Sequence, residues 1–467
     1  MEPNQYNFTI PTLGRGKIPS PVALSKRHGD MIANYVSDDD RVVYNINSTP
    51  GNSVVYNHEQ LIEQAGPREF IFFDPDKVHA AIVTCGGLCP GLNDVIRAIV
   101  MALWYQYGVR KISGARYGYM GFLPESSDPF MPLKPDTVED IHRMGGTILG
   151  SSRGNGERTA EIVDKLEKES VNILFTIGGD GTQKGTLRIA EEVDRRGLNI
   201  AVVGIPKTID NDLSFIDKSF GFETAVSEAV KAVSSAHVEA YGAINGIGLV
   251  KLMGRESGFI AANTVLGSRD VNYVLIPELR FDLDGENGLL ANLERRLARR
   301  GHAVIIVAEG AGQELMAAAS TEFDASGNKK LGDIGLFLKD EIKKYFVSRC
   351  IDVNLRYIDP SYIIRATRAN PIDSIYCARL GTRAVHAAMA GKTKMLVSHV
   401  NDAFVHIPTE LAVSKRNCVD LESTLWRDVI EATGQPHIMQ NRSQRLAAFD
   451  TKLLVSKTAK SRSKSAS

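Results

Sequence analysis

The stretch that most restricts what this chain can fold into is Val171-Asn172-Ile173-Leu174-Phe175-Thr176-Ile177, followed directly by Gly178-Gly179-Asp180-Gly181-Thr182. The apolar run predicts a buried parallel strand, and the glycines predict a sharp turn at its carboxyl end. From Gln183 to Arg196 the spacing is helical, with Leu187, Ile189, Ala190 and Val193 on one side. A strand, a glycine turn and a helix start make a phosphate-facing site, because bare backbone N–H groups point outward and the helix dipole favours negative charge. A carboxylate at Asp180 would repel phosphate unless a divalent cation lay between them. The expectation is therefore Mg²⁺ held by Asp180 against a polyphosphate. The alternative for this pentapeptide alone is a tight turn carrying a surface aspartate.

The same unit recurs along the chain. His79-Ala80-Ala81-Ile82-Val83-Thr84 predicts a strand with Gly86-Gly87-Leu88-Cys89-Pro90-Gly91 as its turn, and Leu92 to Tyr107 an amphipathic helix. Further strands are expected at Val109–Ile112, Ile200–Ile205, Ile247–Lys251, Tyr273–Ile276 and Ala303–Val307, with helices at Thr137–Met144 and Thr224–Ala240. Alternating strands and helices predict an α/β fold with a mostly parallel sheet covered on both faces. Residues 1–77 form an extension, weakly periodic and rich in Asn, Pro, Gly and Asp, that wraps the body or a neighbouring subunit. Residues 78–225 form the first domain, with 366–394 returning to it, 226–365 the second, and 395–467 a carboxyl-terminal segment. Its basic, serine-rich end, Lys457 to Ser467, reads as a disordered tail.

Composition removes several classes. With 467 residues, about two or three domains are expected at ~150 residues each. Lysine plus arginine equals aspartate plus glutamate at 55 each, so whole-chain charge argues for neither nucleic acid nor a membrane surface. No apolar run approaches the ~20 residues of a membrane span, and the amino terminus does not read as a signal peptide. Cys85, Cys89, Cys350, Cys377 and Cys418 form no CxxC pair, which suits free thiols in a reducing compartment and argues against zinc. The expected location is the cytoplasm. The chain ends Ser465-Ala466-Ser467, not in the Ser-Lys-Leu type that addresses peroxisome-like organelles.

In open α/β sheets ligands gather at the carboxyl ends of strands, and the polar residues of this chain cluster there. Gly86-Gly87 with Pro90-Gly91 is a second bare-backbone cradle. Gly145-Gly146-Thr147-Ile148-Leu149-Gly150-Ser151-Ser152-Arg153 is a third, with Arg158 nearby, and guanidinium groups match phosphate oxygens bidentately. Thr208-Ile209-Asp210-Asn211-Asp212 places two carboxylates two residues apart after a buried strand. If that run is extended, both point to one side, and Lys207 or a metal must offset their repulsion. One carboxylate can take a proton from an attacking hydroxyl while the other helps hold metal-bound phosphate. Met253-Gly254-Arg255 and Glu278 follow later strands, Arg255 as a charge clamp and Glu278 as a hydroxyl acceptor. Arg356, Tyr362 and Arg365 form a late cluster suited to an anion. Tyr119 reads as a packed tyrosine or as a wall beside a nucleotide. Lys329 and Lys330 read as a solvated loop rather than an effector site.

Taken together, these turns resemble the 6-phosphofructokinases, from about Val78 to Gly391, and most closely the long ATP-dependent branch of trypanosomatids and plants. The resemblance implies two similar Rossmann-like domains with mostly parallel sheets facing each other across a cleft, and phosphoryl transfer from Mg²⁺-ATP to the 1-hydroxyl of fructose 6-phosphate in a regulated homotetramer of glycolysis. By that resemblance Asp210 matches the catalytic base, Asp180 the Mg²⁺-linked carboxylate and Asp212 the second carboxylate of the catalytic turn. Thr208 and Arg255 match residues that hold the transferring phosphoryl group. Gly87, Tyr119, Arg153, Arg158, Gly181, Thr182 and Gly185 match nucleotide positions. Thr208, Met253, Gly254, Arg255, Glu278, Arg356, Tyr362 and Arg365 match the sugar-phosphate site, with Arg356 reaching a neighbouring subunit's sugar. Two departures matter. Lys207 is typical of the pyrophosphate-dependent branch, whereas Gly181 leaves room for the α-phosphate of ATP and favours ATP. Gly246 stands where the bacterial enzymes place an arginine, so another cation, with Lys251 as a candidate, is expected to replace it. The rival readings are a pyrophosphate-dependent phosphofructokinase and a non-catalytic regulatory subunit.

Overall fold

A computed structural model of the chain describes residues 6–46, 56–127, 130–316 and 330–441. The basic tail and Lys329 lie outside the described residues. The chain divides into two compact units, one built from residues up to Ala225 together with Tyr362–Asn417, the other from Val226 onward with Lys330–Ser361 and the residues after Asn417.

The first unit is organised on a sheet of nine strands among the described residues. Its centre is parallel, in the order Met395–Val400, Ala201–Pro206, Ile173–Gly178, His79–Thr84 and Lys111–Ala115. The Ile173–Gly178, Ala201–Pro206 and His79–Thr84 strands are buried at all six positions, as expected of central strands covered on both faces. Their side chains Ala81, Val83, Leu174 and Val202 share a core with Ile162 and Leu166 of the Thr159–Lys168 helix and Ile189 of the Asp180–Arg195 helix.

Antiparallel strands close both edges. Met131–Pro132 pairs with Lys111–Ala115, and Ala403–Pro408 turns back on Met395–Val400. The amino-terminal extension joins this unit as the strands Ile62–Gln64 and Arg41–Val42 beyond Ala403–Pro408. A buried ionic group fastens that edge: Glu63 is paired with Arg68 at 2.8 Å, Lys392 at 3.0 Å and His406 at 2.9 Å. These partners hold the Glu63 carboxyl far below its usual range although burial opposes this.

The second unit carries a sheet of four strands, all parallel, in the order Tyr273–Leu275, His302–Ala308, Gly246–Leu252 and Asn354–Ile358. Leu249, Ile305, Leu293, Leu338 and Phe346 lie in its core. The α/β class and the parallel sheets agree with the expectation.

Several local boundaries differ. The helix after Gly91 is regular over Leu92–Met101 and then widens into a π-turn over Ala102–Tyr107. The helix expected over Thr137–Met144 is a short turn at Pro135–Val138 and a separate 3₁₀ turn at Ile141–Arg143, because Asp140 leaves helical geometry between them. The strand expected at Val109–Ile112 begins two residues later, at Lys111.

Candidate active site

Three turns leave the carboxyl ends of adjacent parallel strands in the first unit. Ile177 pairs with Thr84 and Gly178 with Pro206, so the glycine turns after residues 84 and 178 and the Lys207–Asp212 turn share one edge. Backbone hydrogen bonds tie them together: Lys207 N–H donates to Gly178 at 3.0 Å, Cys85 N–H to Ile177 at 2.9 Å, and Gly86 N–H to Ser152 at 2.9 Å. The third cradle is seated the same way, by the Thr84 hydroxyl on the Gly150 carbonyl at 2.8 Å and the Ser151 hydroxyl on the Gly86 carbonyl at 2.6 Å.

Asp180 opens the Asp180–Arg195 helix, where its charge complements the helix dipole. Its carboxylate is largely buried and faces two cations: Lys184 Nζ at 2.9 Å, one turn along the same helix, and Arg416 at 3.7 Å. Among the described residues no group of three or more His, Cys, Asp or Glu surrounds one point. A single hard carboxylate at a helix start nevertheless suits Mg²⁺, which commonly takes one or two carboxylates and completes its octahedron with phosphate oxygens and water. The neighbouring Thr182 is buried, and its carbonyl accepts from the Tyr119 hydroxyl at 2.9 Å. Tyr119 is itself fully buried beneath Gly156 and Gly185, so it touches the helix start from below. A side chain at Gly181 would meet no protein atom within 4 Å. Arg153 lies beside Gly87, and Arg158 is engaged by Glu125 at 2.8 Å and by Glu161.

Lys207 is buried, with its ammonium donating to the Gly87 carbonyl at 2.7 Å, and burial pushes its pKa down. It therefore places a cation inside the first glycine cradle. The Thr208–Asp212 run is not extended. Asn211 adopts a left-handed φ of 56°, a conformation its short polar side chain tolerates, and the turn folds on itself. The Thr208 hydroxyl donates to Asp212 at 2.5 Å, while the Asn211 side chain accepts from Ser219 N–H at 2.8 Å and donates to the Asp217 carbonyl at 3.1 Å. The extended run on which Asp210 and Asp212 would share one side is therefore not formed, and Asp212 is held by Thr208.

In the second unit, Gly254 has a φ of 129° and a Cβ there would lie 2.5 Å from the Ser257 carbonyl oxygen, so only glycine fits between Met253 and Arg255. Met253 is buried. Glu278 Oε1 accepts from Gly258 N–H at 2.9 Å and Val419 N–H at 2.7 Å. Its Oε2 is buried without a hydrogen-bond partner, and burial raises the carboxyl pKa. A buried acceptor of this kind suits a neutral hydroxyl donor. Arg356 lies on the Asn354–Ile358 strand, 3.4 Å from Glu239. Tyr362 and Arg365 belong to the first unit, on the Ser361–Ala366 helix, where Tyr362 is 81% exposed.

Any side chain at Gly246 would run into the Ala240 carbonyl, which explains the glycine there. Lys251, the candidate substitute cation, has its ammonium engaged by Asp333 and Asp359, each at 2.9 Å.

Two groups at the site escaped the sequence reading. Lys184 was legible in principle, since it stands four residues after Asp180 on a helix. Arg416 had no local signal.

Comparisons with known proteins bear on the family. The Phosphofructokinase family model matches residues 79–388. The ATP-dependent 6-phosphofructokinase of Borreliella burgdorferi is 55% identical over 441 residues, covering 93% of this chain and 98% of that protein. The enzyme of the same description from Trypanosoma cruzi is 48% identical over 376 residues, 80% of this chain and 76% of that one. Among solved structures, Pichia pastoris phosphofructokinase in the T-state superimposes with a TM-score of 0.60 at 21% identity, over 78% of this chain and 37% of that one, a likeness of fold. A family model over two domains' worth of sequence and close relatives along nearly the whole length lead to one conclusion: this chain belongs to the phosphofructokinase family.

Proposed function

We propose that this chain is an ATP-dependent 6-phosphofructokinase, transferring the γ-phosphoryl group of Mg²⁺-ATP to the 1-hydroxyl of fructose 6-phosphate to give the bisphosphate and ADP. The observation that carries the reading is that the Asp180 turn and the Thr208–Asp212 turn leave neighbouring parallel strands of one unit. The descriptions of the close relatives support it.

The chain's own residues divide the work by chemistry. Asp210 accepts the proton of the 1-hydroxyl as that oxygen attacks phosphorus. Thr208 and Arg255 hold the transferring phosphoryl group, and Asp212 fixes Thr208 through their hydrogen bond. Gly87, Arg153, Gly181, Thr182 and Gly185 line the nucleotide site, with Lys207 as a fixed cation in the glycine cradle and Tyr119 supporting Thr182 from below. Arg158 flanks that site. Asp180 is the residue that would hold Mg²⁺, which when bound neutralises the polyphosphate and polarises the transferring group. Met253, Gly254, Glu278, Arg356, Tyr362 and Arg365 receive the sugar phosphate, with Glu278 Oε2 accepting a sugar hydroxyl. Positioning and charge neutralisation supply most of the barrier reduction. The domain limits at 225/226 and 365/366, a homotetramer in which Arg356 serves a neighbour's sugar, allosteric control and a cytoplasmic location belong to the same proposal. No helix of the described residues is long and apolar enough to cross a membrane.

A coupled assay of fructose 1,6-bisphosphate formation with ATP or pyrophosphate as sole donor tests the reading. Turnover with ATP alone is expected. Turnover with pyrophosphate alone would assign the chain to the pyrophosphate-dependent reaction, and binding of both substrates without product would make it a regulatory subunit.

A further inference from the structure

The segment after the Thr409–Ala412 helix is threaded against the catalytic turn. Three successive residues pair with three others: the Ser214 hydroxyl donates to the Lys415 carbonyl at 2.9 Å, Arg416 bridges Leu213 in antiparallel fashion, and Asn417 N–H donates to the Asp212 carbonyl at 2.8 Å. Lys415 also stands over the rings of Tyr6 and Phe215, about the same distance from each at 5.4 and 5.3 Å. Phe215 in turn packs edge-on to Tyr6 and Phe8, residues of the amino-terminal extension. The backbone of Arg416 is therefore held in register with the residues that follow Asp210.

From that anchored position the guanidinium reaches the other carboxylate turn, 3.7 Å from Asp180. Arg416 thus connects the turn bearing the proposed base to the turn bearing the proposed metal ligand. Residues 414–417 lie beyond the 79–388 span matched by the family model. The second cation on Asp180, Lys184, is an i,i+4 partner with its side chain 49% exposed, a surface pair of small worth. Arg416 is less exposed, at 31%, and a planar guanidinium fits phosphate oxygens bidentately. With a metal on Asp180, Lys184 and Arg416 would stand at the helix start where the polyphosphate arrives.

We propose that Arg416 is a donor-binding residue, whose guanidinium balances Asp180 in the ligand-free protein and turns onto the polyphosphate of the Mg²⁺-nucleotide. This inference rests on the donor-site reading above. The test is calorimetric affinity for Mg²⁺-AMPPNP in the wild type, Arg416→Ala, Arg416→Lys and Lys184→Ala, alongside the KM values for ATP and fructose 6-phosphate. Because backbone atoms hold the segment, Arg416→Ala should keep the wild-type Tm within a few degrees. Its affinity for Mg²⁺-AMPPNP should fall about tenfold or more, with KM for ATP rising in parallel and KM for fructose 6-phosphate unchanged. Arg416→Lys should recover part of the loss, and Lys184→Ala should lose less than about threefold. Wild-type affinity in Arg416→Ala would overturn the inference and leave the donor site standing. Equal losses in the alanine and lysine variants with a lowered Tm would also overturn it, as a structural role. A wild type that does not bind Mg²⁺-AMPPNP would remove the donor site itself.

Discussion

The two units present their acidic groups in opposite ways. In the first, Asp180 faces Lys184 and Arg416, and Asp212 is capped by the Thr208 hydroxyl. In the second, Glu278 has one oxygen saturated by two backbone N–H groups and the other buried with no partner. The first arrangement suits a ligand that carries high charge, because fixed countercharges can be exchanged for metal and phosphate with little reorganisation. The second suits a neutral hydroxyl, because a buried acceptor left open gains most from a donor. On the proposed reading, the difference teaches that donor and acceptor substrates would be recognised by different physics on different sheets.

The sharpest way to break this contrast is Asp210→Ser. If the first unit carries the chemistry, turnover falls by about 10²–10⁴-fold while the KM for fructose 6-phosphate changes little, as steady-state kinetics would report. Near-normal turnover would remove Asp210 as the base. Glu278→Gln sharpens the other side. The amide oxygen can still accept from Gly258 and Val419, so the fold should hold, but the charged acceptor is gone. The KM for fructose 6-phosphate should rise about 10–100-fold with a smaller loss in kcat and an unchanged KM for ATP. A loss confined to ATP would merge the two units' roles.

How much of this was readable without coordinates follows from where the signals lie. Ile173–Gly178 and Ala201–Pro206 announce themselves because central parallel strands are continuous apolar runs closed by glycine or proline. Two-residue edge strands such as Arg41–Val42 have no period to read, so the extension's place in the sheet was hidden. The bend at Asn211 was hidden too. Asp-Asn-Asp fits an extended run or a left-handed turn equally well, and the choice is made by Ser219, eight residues on. Arg416 was out of reach for a different reason: its partners Asp180 and Leu213 lie about two hundred residues upstream, beyond any local pattern.

The smallest effect tests the frame of the first unit. His386 is buried, shares a 2.7 Å hydrogen bond with the Tyr107 hydroxyl, and is pushed down to about 3 by burial. Its folded pKa lies below the unfolded value of about 6.5, so the unfolded chain takes up the proton first. Its contribution is complete above that value and is lost as pH falls from about 6.5 toward 3. At pH 5 the loss should be on the order of 2 kcal/mol, read as a Tm lowered by a few degrees relative to pH 7.5. His386→Asn should show a weaker fall over the same interval. An equal fall in both proteins would assign the acid sensitivity to other groups.

The central claim is that the turns after two neighbouring strands meet around one metal-bound triphosphate. Crystals grown with Mn²⁺-AMPPNP, with the metal located by its anomalous signal, test it most directly. The account predicts a metal peak on the Asp180 carboxylate, with the γ-phosphorus facing Thr208 and Asp210. A metal bound away from Asp180, or a γ-phosphate directed away from the Asp210 turn, would contradict it.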